Sequence, residues 1–173
     1  MVAGLCCVNW SATEITALAS KAARGAGAPP QQAARFGQAA AVHLTAARPP
    51  DALAQALDFL PGGAILEYPL ALDAALSTAR SDGCAVVASV TQDTLLDSYV
   101  AALPFMARTE CAQDGAIRLV VDFAKPRPRS HPLRISGCDA LLKQMNNLAA
   151  RTFVPESAAS RSAGAGAGLT DND

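Results

Sequence analysis

Apolar positions in the first half of the chain recur at the spacing of amphipathic helices. The first such segment begins at Ser11, whose hydroxyl can form a capping box with Glu14. Gly25 and Gly27 end this helix, and its apolar face comprises Ile15, Leu18, Ala19 and Ala22. A second helix is predicted to begin at Pro29-Pro30, because proline fits the first turn, and to end near Ala47.

Prolines divide the segment that follows. A short helix is predicted from Ala52 to Leu60, and a longer one from Leu70 to Arg80. Between them, Ala64 to Tyr68 is predicted to be extended, because the residue before Pro69 is disfavoured in the helical region.

The second half of the chain contains short segments rich in β-branched residues. Cys84 to Val90 and Ala116 to Phe123 are predicted strands, with a helix from Asp93 to Leu103 between them. If Phe105 to Cys111 is also extended, the turn at Asp114-Gly115 joins it to the later strand in an antiparallel hairpin.

Repeated prolines mark the region after the hairpin. They predict a loop from Lys125 to Pro132, followed by a short strand at Leu133 to Ile135 and a final helix capped by Ser136 to Asp139. We therefore predict an α+β fold, with a helical N-terminal half followed by a small mixed or antiparallel sheet flanked by helices. Residues 1–154 are expected to form a single compact domain, and residues 155–173 a Gly/Ala-rich C-terminal arm.

Composition limits the classes of function. The chain of 173 residues has a formal net charge of -1 and a pI of about 6.1, so it lacks the basic field that nucleic-acid binding requires. No signal sequence and no window of roughly 18 apolar residues is evident, and we expect no membrane association. Five cysteines without a C-x-x-C pair predict reduced thiols and a cytoplasmic location. Two distant histidines argue against a His/Cys metal site, and no motif predicts a cofactor.

Two segments carry a resemblance to a known family. The first reads E-I-x-A-L-x-x-K-A-A-R-G-A-G from Glu14 to Gly27, and the second contains S-R-x-x-G-A-G-A-G-L-T-D-N-D from Ser160 to Asp173. Together they resemble an uncharacterised bacterial family of the domain-of-unknown-function kind, found mainly in proteobacteria. The resemblance implies a role in bacterial metabolism, but no established activity comes with it.

The first candidate site lies at the end of the first predicted helix. Lys21 and Arg24 are three residues apart, so both can face one carboxylate or phosphate, and the amides of Gly25 and Gly27 can complete an anion pocket. The alternative is structural: basic residues and glycine are the ordinary features of a helix C-terminus.

The second candidate site is the C-terminal arm. Arg161 can bind a carboxylate through its planar guanidinium, and Asp171 and Asp173 are weak candidates for acid–base catalysis, as is His131 in the proline-rich loop. The ligand-binding residues predicted in the arm are Ser160, Arg161, Gly164 and Gly166. A flexible terminus has the same composition, and docking onto a partner or a second subunit is a third interpretation.

Other residues carry weaker hypotheses. Cys138 lies near a predicted helix start, where a thiol can become reactive, although Asp139 opposes that effect and a buried cysteine is the commoner case. Glu67, Tyr68 and Asp73 flank Pro69 and are candidates to line a cleft, or else belong to packing and to a solvated face.

Two functional hypotheses follow. The first is a cytoplasmic protein that binds a small anionic metabolite through Lys21, Arg24 and Arg161, with the arm closing over the site and with catalysis undecided. The second is a non-catalytic accessory subunit of a bacterial metabolic enzyme. Stoichiometric co-purification with another protein would indicate the accessory subunit, whereas a ligand-binding protein would run alone or as a homo-oligomer.

Overall fold

The structure is a computed structural model that describes residues 9–79, 83–88, 90–128 and 134–152. Within these residues the chain forms six helices and a three-stranded sheet, which confirms the predicted α+β fold. The elements in chain order are α1 (Ala12–Gly25), α2 (Pro30–Thr45), α3 (Asp51–Asp58), α4 (Ala64–Thr78), β1 (Cys84–Val87), α5 (Thr94–Ala101), β2 (Phe105–Cys111), β3 (Ile117–Pro126) and α6 (Asp139–Ala150).

The capping box predicted for α1 is confirmed. The backbone N–H of Ser11 donates to Oε2 of Glu14 at 2.7 Å, and the N–H of Glu14 donates to Oγ of Ser11 at 3.2 Å. These hydrogen bonds, first from the Ser11 backbone and then from its side chain, lower the pKa of Glu14. The N-terminus of α1 is therefore fixed by its own sequence.

Small residues let α1 approach two other helices closely. At Gly25 a Cβ atom would collide with the carbonyl of Leu148 on α6, and at Gly37 it would collide with the Ser20 hydroxyl of α1. At the other end of this helix pair, Trp10 and Ile135 form an antiparallel bridge. Because one contact lies before both helices and the other near both C-termini, α1 and α6 run in the same direction.

The sheet has the order β1-β3-β2 and is antiparallel throughout. The predicted hairpin of β2 and β3 is confirmed, and β1 pairs with the other edge of β3 at Ile117 to Val120. The inward side chains Ile117, Leu119 and Val121 are buried, while α4 packs beside β1 and α5 beside β2. Period-two alternation on β3 thus places one face of the sheet on the helical core.

Helix α4 corrects the extended segment predicted at Ala64 to Tyr68. The helix begins at Ala64 and continues through Pro69 to Thr78. Its buried side chains are Ile65, Tyr68, Pro69, Leu72 and Ala75, a spacing that forms one helical stripe. Burial of that stripe outweighs the local preference of the residue that precedes proline.

The loop predicted from Lys125 to Pro132 begins later than expected, because β3 extends to Pro126. Pro126 lies opposite Phe105, beyond a register shift in β2. On its other edge β3 pairs with β1 only as far as Val120, so Pro126 has no partner there among the described residues. A proline without a ladder partner on one side is compatible with a strand. Of the short strand predicted at 133–135, Ile135 forms the bridge to Trp10, and Leu133 lies outside the described residues.

We predict that Gly25→Ala destabilises the fold by about 1–3 kcal/mol, because the new methyl group must push the backbone of α6 away from α1. Urea unfolding followed by far-UV circular dichroism measures this free energy.

Gly62→Ala is the matched control for this substitution. The nearest atom to a Cβ there is the Phe59 carbonyl oxygen at 3.6 Å, which is ordinary van der Waals contact. Equal stability of the two variants would show that α1 and α6 are not as close as described.

Candidate functional site

A cleft opens where α3, the first turns of α4 and the segment before α5 meet. Its volume is about 320 Å³. The polar and aromatic side chains on its walls are Gln55, Phe59, Glu67, Tyr68, Thr91 and Asp93, and glycine, alanine, valine and leucine supply the rest. A concave, partly apolar cavity with a few converging polar groups is the usual form of a small-molecule site.

Tyr68 and Asp93 form the polar centre of the cleft. The Tyr68 hydroxyl donates to Oδ2 of Asp93 at 2.6 Å, and Oδ1 of Asp93 accepts the backbone N–H of Leu96 at 2.7 Å. Asp93 is therefore the N-cap of α5, and its carboxylate links the start of that helix to α4. Both side chains are fixed by helices rather than by a mobile loop.

The charge in the cleft is acidic. Burial raises the pKa of Tyr68 to about 12, followed in importance by the hydrogen bond to Asp93 and the charge of that carboxylate, with a further contribution from Glu67. Tyr68 consequently keeps its proton at neutral pH and acts as a donor. Glu67 is exposed at the rim, and the lining includes no lysine or arginine among the described residues.

Buried groups support Tyr68 from behind. Its ring meets the ring of Tyr99 edge to face, with 6.0 Å between the centroids. Tyr99 is 1% exposed, and burial raises its pKa. Nearby, Nη1 of Arg35 donates to Oδ1 of Asp73 at 3.0 Å, an ion pair between α2 and α4. This packing leaves the Tyr68 ring little freedom to move.

A second arrangement has the composition of a catalytic pair but not its accessibility. Nδ1 of His43 lies 2.8 Å from Oγ of Ser98, and Nε2 lies 2.8 Å from the Pro49 carbonyl. A carbonyl can only accept, so Nε2 carries the proton and Nδ1 faces the hydroxyl. Both side chains are 0% exposed, and the Arg48 guanidinium also donates to Ser98. The group joins the end of α2 to α5 and has no access for a substrate.

A wider groove of about 860 Å³ lies between α2, the α5–β2 connection and the end of β3. Its most polar side chain, Arg127, donates through Nε to the Leu103 carbonyl and through Nη2 to the carbonyls of Val100 and Ala107. The carbonyls of Val100 and Leu103 lie at the C-terminal end of α5, so Arg127 caps that helix, and its bond to Ala107 ties the cap to β2. The groove presents few free polar groups to a ligand.

The structure describes four of the predicted ligand-binding residues. Lys21 and Arg24 are exposed, and their side chains form no hydrogen bond or ion pair with other described residues. The amides that follow them are occupied: Gly27 donates to Arg24, and Ala28 donates to Ala23. Gly25 packs against α6, and Gly27 has a positive φ of 103°. An anion at this end would therefore rely on the two side chains.

The described part of α6 ends beside these residues. Gly25 is in contact with the backbone of Leu148, and the last described residue, Thr152, donates to the Ala149 carbonyl only one turn later. The remaining predicted site residues lie outside the described residues: Ser160, Arg161, Gly164, Gly166, Asp171, Asp173 and His131.

The weaker candidates separate clearly. Glu67 and Tyr68 line the cleft, whereas Asp73 pairs with Arg35 elsewhere on α4. Cys138 is buried, and desolvation, followed by the charge of Asp139, raises the pKa of its thiol. A thiol with a raised pKa is a poor nucleophile, which favours the interpretation of Cys138 as a small buried hydrophobe.

The part of the chain that the structure describes contains neither a cluster of metal-ligating side chains nor a membrane-spanning helix. No three His, Cys, Asp or Glu side chains there are grouped as they would be around a metal ion. Nor does any helix there combine the length and apolar character needed to cross a bilayer.

Comparison with known proteins gives no match, whether to a family model, to a curated protein or to a solved structure. The family resemblance of the two terminal segments stays a prediction.

We predict that His43 makes stability depend on pH. Burial lowers the pKa of His43 in the folded chain, with Arg48 acting in the same direction, whereas an unfolded histidine titrates near 6.5. As the pH falls below about 6.5, the unfolded chain gains a proton that the folded chain resists, so the free energy of unfolding decreases. Urea unfolding from about pH 7.5 to 5.5 should show this decrease, and His43→Gln should weaken it.

His131→Gln is the control, because it removes the other histidine of the chain. The same acid slope should persist in that variant. An unchanged slope in His43→Gln would show that other groups cause the pH dependence.

Proposed function

We propose that the protein binds a small metabolite in the cleft between α3, α4 and α5. The observation that carries this proposal is the hydrogen bond between Tyr68 and Asp93, which fixes a donor–acceptor pair in the wall of a cavity of about 320 Å³. That volume lies at the lower end of the range for ligand pockets, roughly 300–1,000 Å³. A molecule of metabolite size is therefore the appropriate occupant.

The polar centre of the cleft is fixed by hydrogen bonds within the chain itself. Tyr68, with its raised pKa, donates to Asp93, and both oxygens of Asp93 already accept one hydrogen bond each. Their remaining lone pairs can accept hydrogen bonds from a ligand at no cost in reorganising the site.

Filling the cleft tests this proposal. We predict that at least one metabolite from a library raises the melting temperature, because a ligand at a hundredfold excess over its Kd stabilises the fold by about 2.7 kcal/mol. Ala52→Phe, which places a ring on the cleft face of α3, should abolish that shift. Differential scanning fluorimetry measures both proteins.

Ala74→Phe supplies the control, since Ala74 is exposed on α4 and is not part of the cleft. A shift that survives Ala52→Phe, or a library in which no compound gives a shift, contradicts binding in the cleft.

Binding of an anionic metabolite at the end of α1 is a second candidate function. It is supported by two exposed basic side chains, Lys21 and Arg24, and by the contact of Gly25 with Leu148 near the C-terminal end of α6. The C-terminal end of a helix carries partial negative charge, which opposes an anion, so the arm with Arg161 would have to supply the additional attraction.

Three variants test this candidate. Arg161→Ala, deletion of the residues after Pro155, and the pair Lys21→Ala with Arg24→Ala should each abolish the thermal stabilisation given by anionic metabolites. Lys125→Ala removes an exposed charge on β3 and should change nothing. Stabilisation that persists in any of the three would rule this candidate out.

An accessory subunit remains the alternative prediction from the sequence. Four large apolar side chains are strongly exposed, namely Phe59, Leu70, Val86 and Phe123. They come from different elements, and single exposed apolar residues are common on protein surfaces. The cleft therefore supports metabolite binding better than these side chains support a partner.

A further inference from the structure

We propose that the ligand of the cleft is a protonated organic amine that carries an apolar or aromatic group. This inference rests on the proposed function and adds the chemical class of the ligand. It differs from the anionic metabolite predicted from the sequence, which belongs to the end of α1.

The carboxylates of Glu67 and Asp93 give the cleft its charge. Glu67 is exposed at the rim, and Asp93 lies beside Tyr68 at the wall. The guanidinium of Arg48 donates to Ser98 and to the Thr94 carbonyl of α5 and is not part of the cleft lining. A cationic ligand therefore meets two carboxylates without an internal competitor among the described lining residues.

Helix dipoles reduce this charge but do not reverse it. The N-termini of α4 and α5 both lie at the cleft, at Gly63 and Asp93. Each helix N-terminus is equivalent to roughly half a positive charge, so two of them offset about one of the two carboxylates. The remaining field is negative. Burial is the main cause of the raised pKa of Tyr68, and the two carboxylates act in the same direction, as a negative field does.

Phe59 supplies the contact for the apolar part of the ligand. Its side chain lies at the rim of the cleft, directly after α3, and is 72% exposed, more than any other large apolar side chain that is described. A ring held at the mouth of an acidic cavity can stack on an apolar group or face a cation. The alanines of the lining, among them Ala52 and Ala56, keep the space beneath it open.

Three probes of nearly equal size and different charge test the ligand class: phenethylamine, phenethyl alcohol and phenylacetate. Binding is followed at pH 7 and low salt through the backbone amide resonances of Ala64, Glu67 and Val90. We expect the Kd of phenethylamine to be lower than that of the alcohol by a factor of about five or more. The acid should bind more weakly than either.

Variants assign the preference to named groups. Glu67→Gln keeps the shape of the side chain and should remove most of the preference for the amine over the alcohol. Asp114→Asn removes a carboxylate at the hairpin turn, remote from the cleft, and should leave the preference intact. Phe59→Ala should weaken the binding of the amine and of the alcohol to the same extent.

The outcomes separate this inference from the proposed function. Equal or tighter binding of the alcohol or the acid, a preference that persists in Glu67→Gln, or failure of the amine to shift the cleft resonances overturns the ligand class. The proposed function is judged independently by the metabolite library and Ala52→Phe. If a neutral or anionic metabolite binds the protein but not the Ala52→Phe variant, the cleft is a binding site and only the proposed amine class is wrong.

Discussion

The continuation of α4 through Pro69 is the constraint on which the candidate site depends. A proline inside a helix costs about 3 kcal/mol or more, through a lost hydrogen bond and a clash with the preceding turn. Fully burying an aliphatic side chain contributes about 1.5–3 kcal/mol, and Ile65 and Leu72 are both fully buried on this helix. Tyr68 is buried beside them, and the burial of these three side chains stabilises α4 by more than Pro69 destabilises it. If α4 began after Pro69, the Tyr68 hydroxyl would not reach Asp93.

The N-terminal half of the molecule is held together by close backbone approach more than by large side chains. Aromatic residues make up only 5% of the chain, so few large side chains are available to fill the space between helices. The helices therefore pack through glycine and alanine, which bring their backbones close together. Gly25 and Gly37 mark the tightest contacts of α1 with α6 and α2. Larger residues gather around the cleft, where Tyr68 and Tyr99 fill the space between α2, α4 and α5.

Local rules predicted those elements whose ends are determined within a few residues. The capping box of Ser11 and Glu14 and the hairpin turn at Asp114-Gly115 are of this kind, and both were correct. The interval before Pro69 was predicted wrongly, because the local preference was overcome by burial against distant segments. The sequence of one helix does not indicate which distant segments it packs against.

The candidate site was harder to predict than the fold for the same reason. Glu67, Tyr68 and Asp73 were candidates either for a cleft or for packing and a solvated face, and only the first two line the cleft. The sequence places Asp93 only at the start of a helix. Its partner is 25 residues away, and nothing in the spacing of the two indicates their hydrogen bond. The predicted basic site shows the converse. Lys21 and Arg24 form a conspicuous pattern, yet the neighbouring amides are used to end α1.

The bridge between Trp10 and Ile135 has a practical consequence. Trp10 is the only tryptophan of the chain, and it lies where the segments leading into α1 and α6 meet. Its indole emission therefore reports on the docking of α6, whereas tyrosine emission reports on the opposite region around α4 and α5. Detachment of the C-terminal helix can thus be distinguished optically from collapse of the whole fold, without introducing an external label.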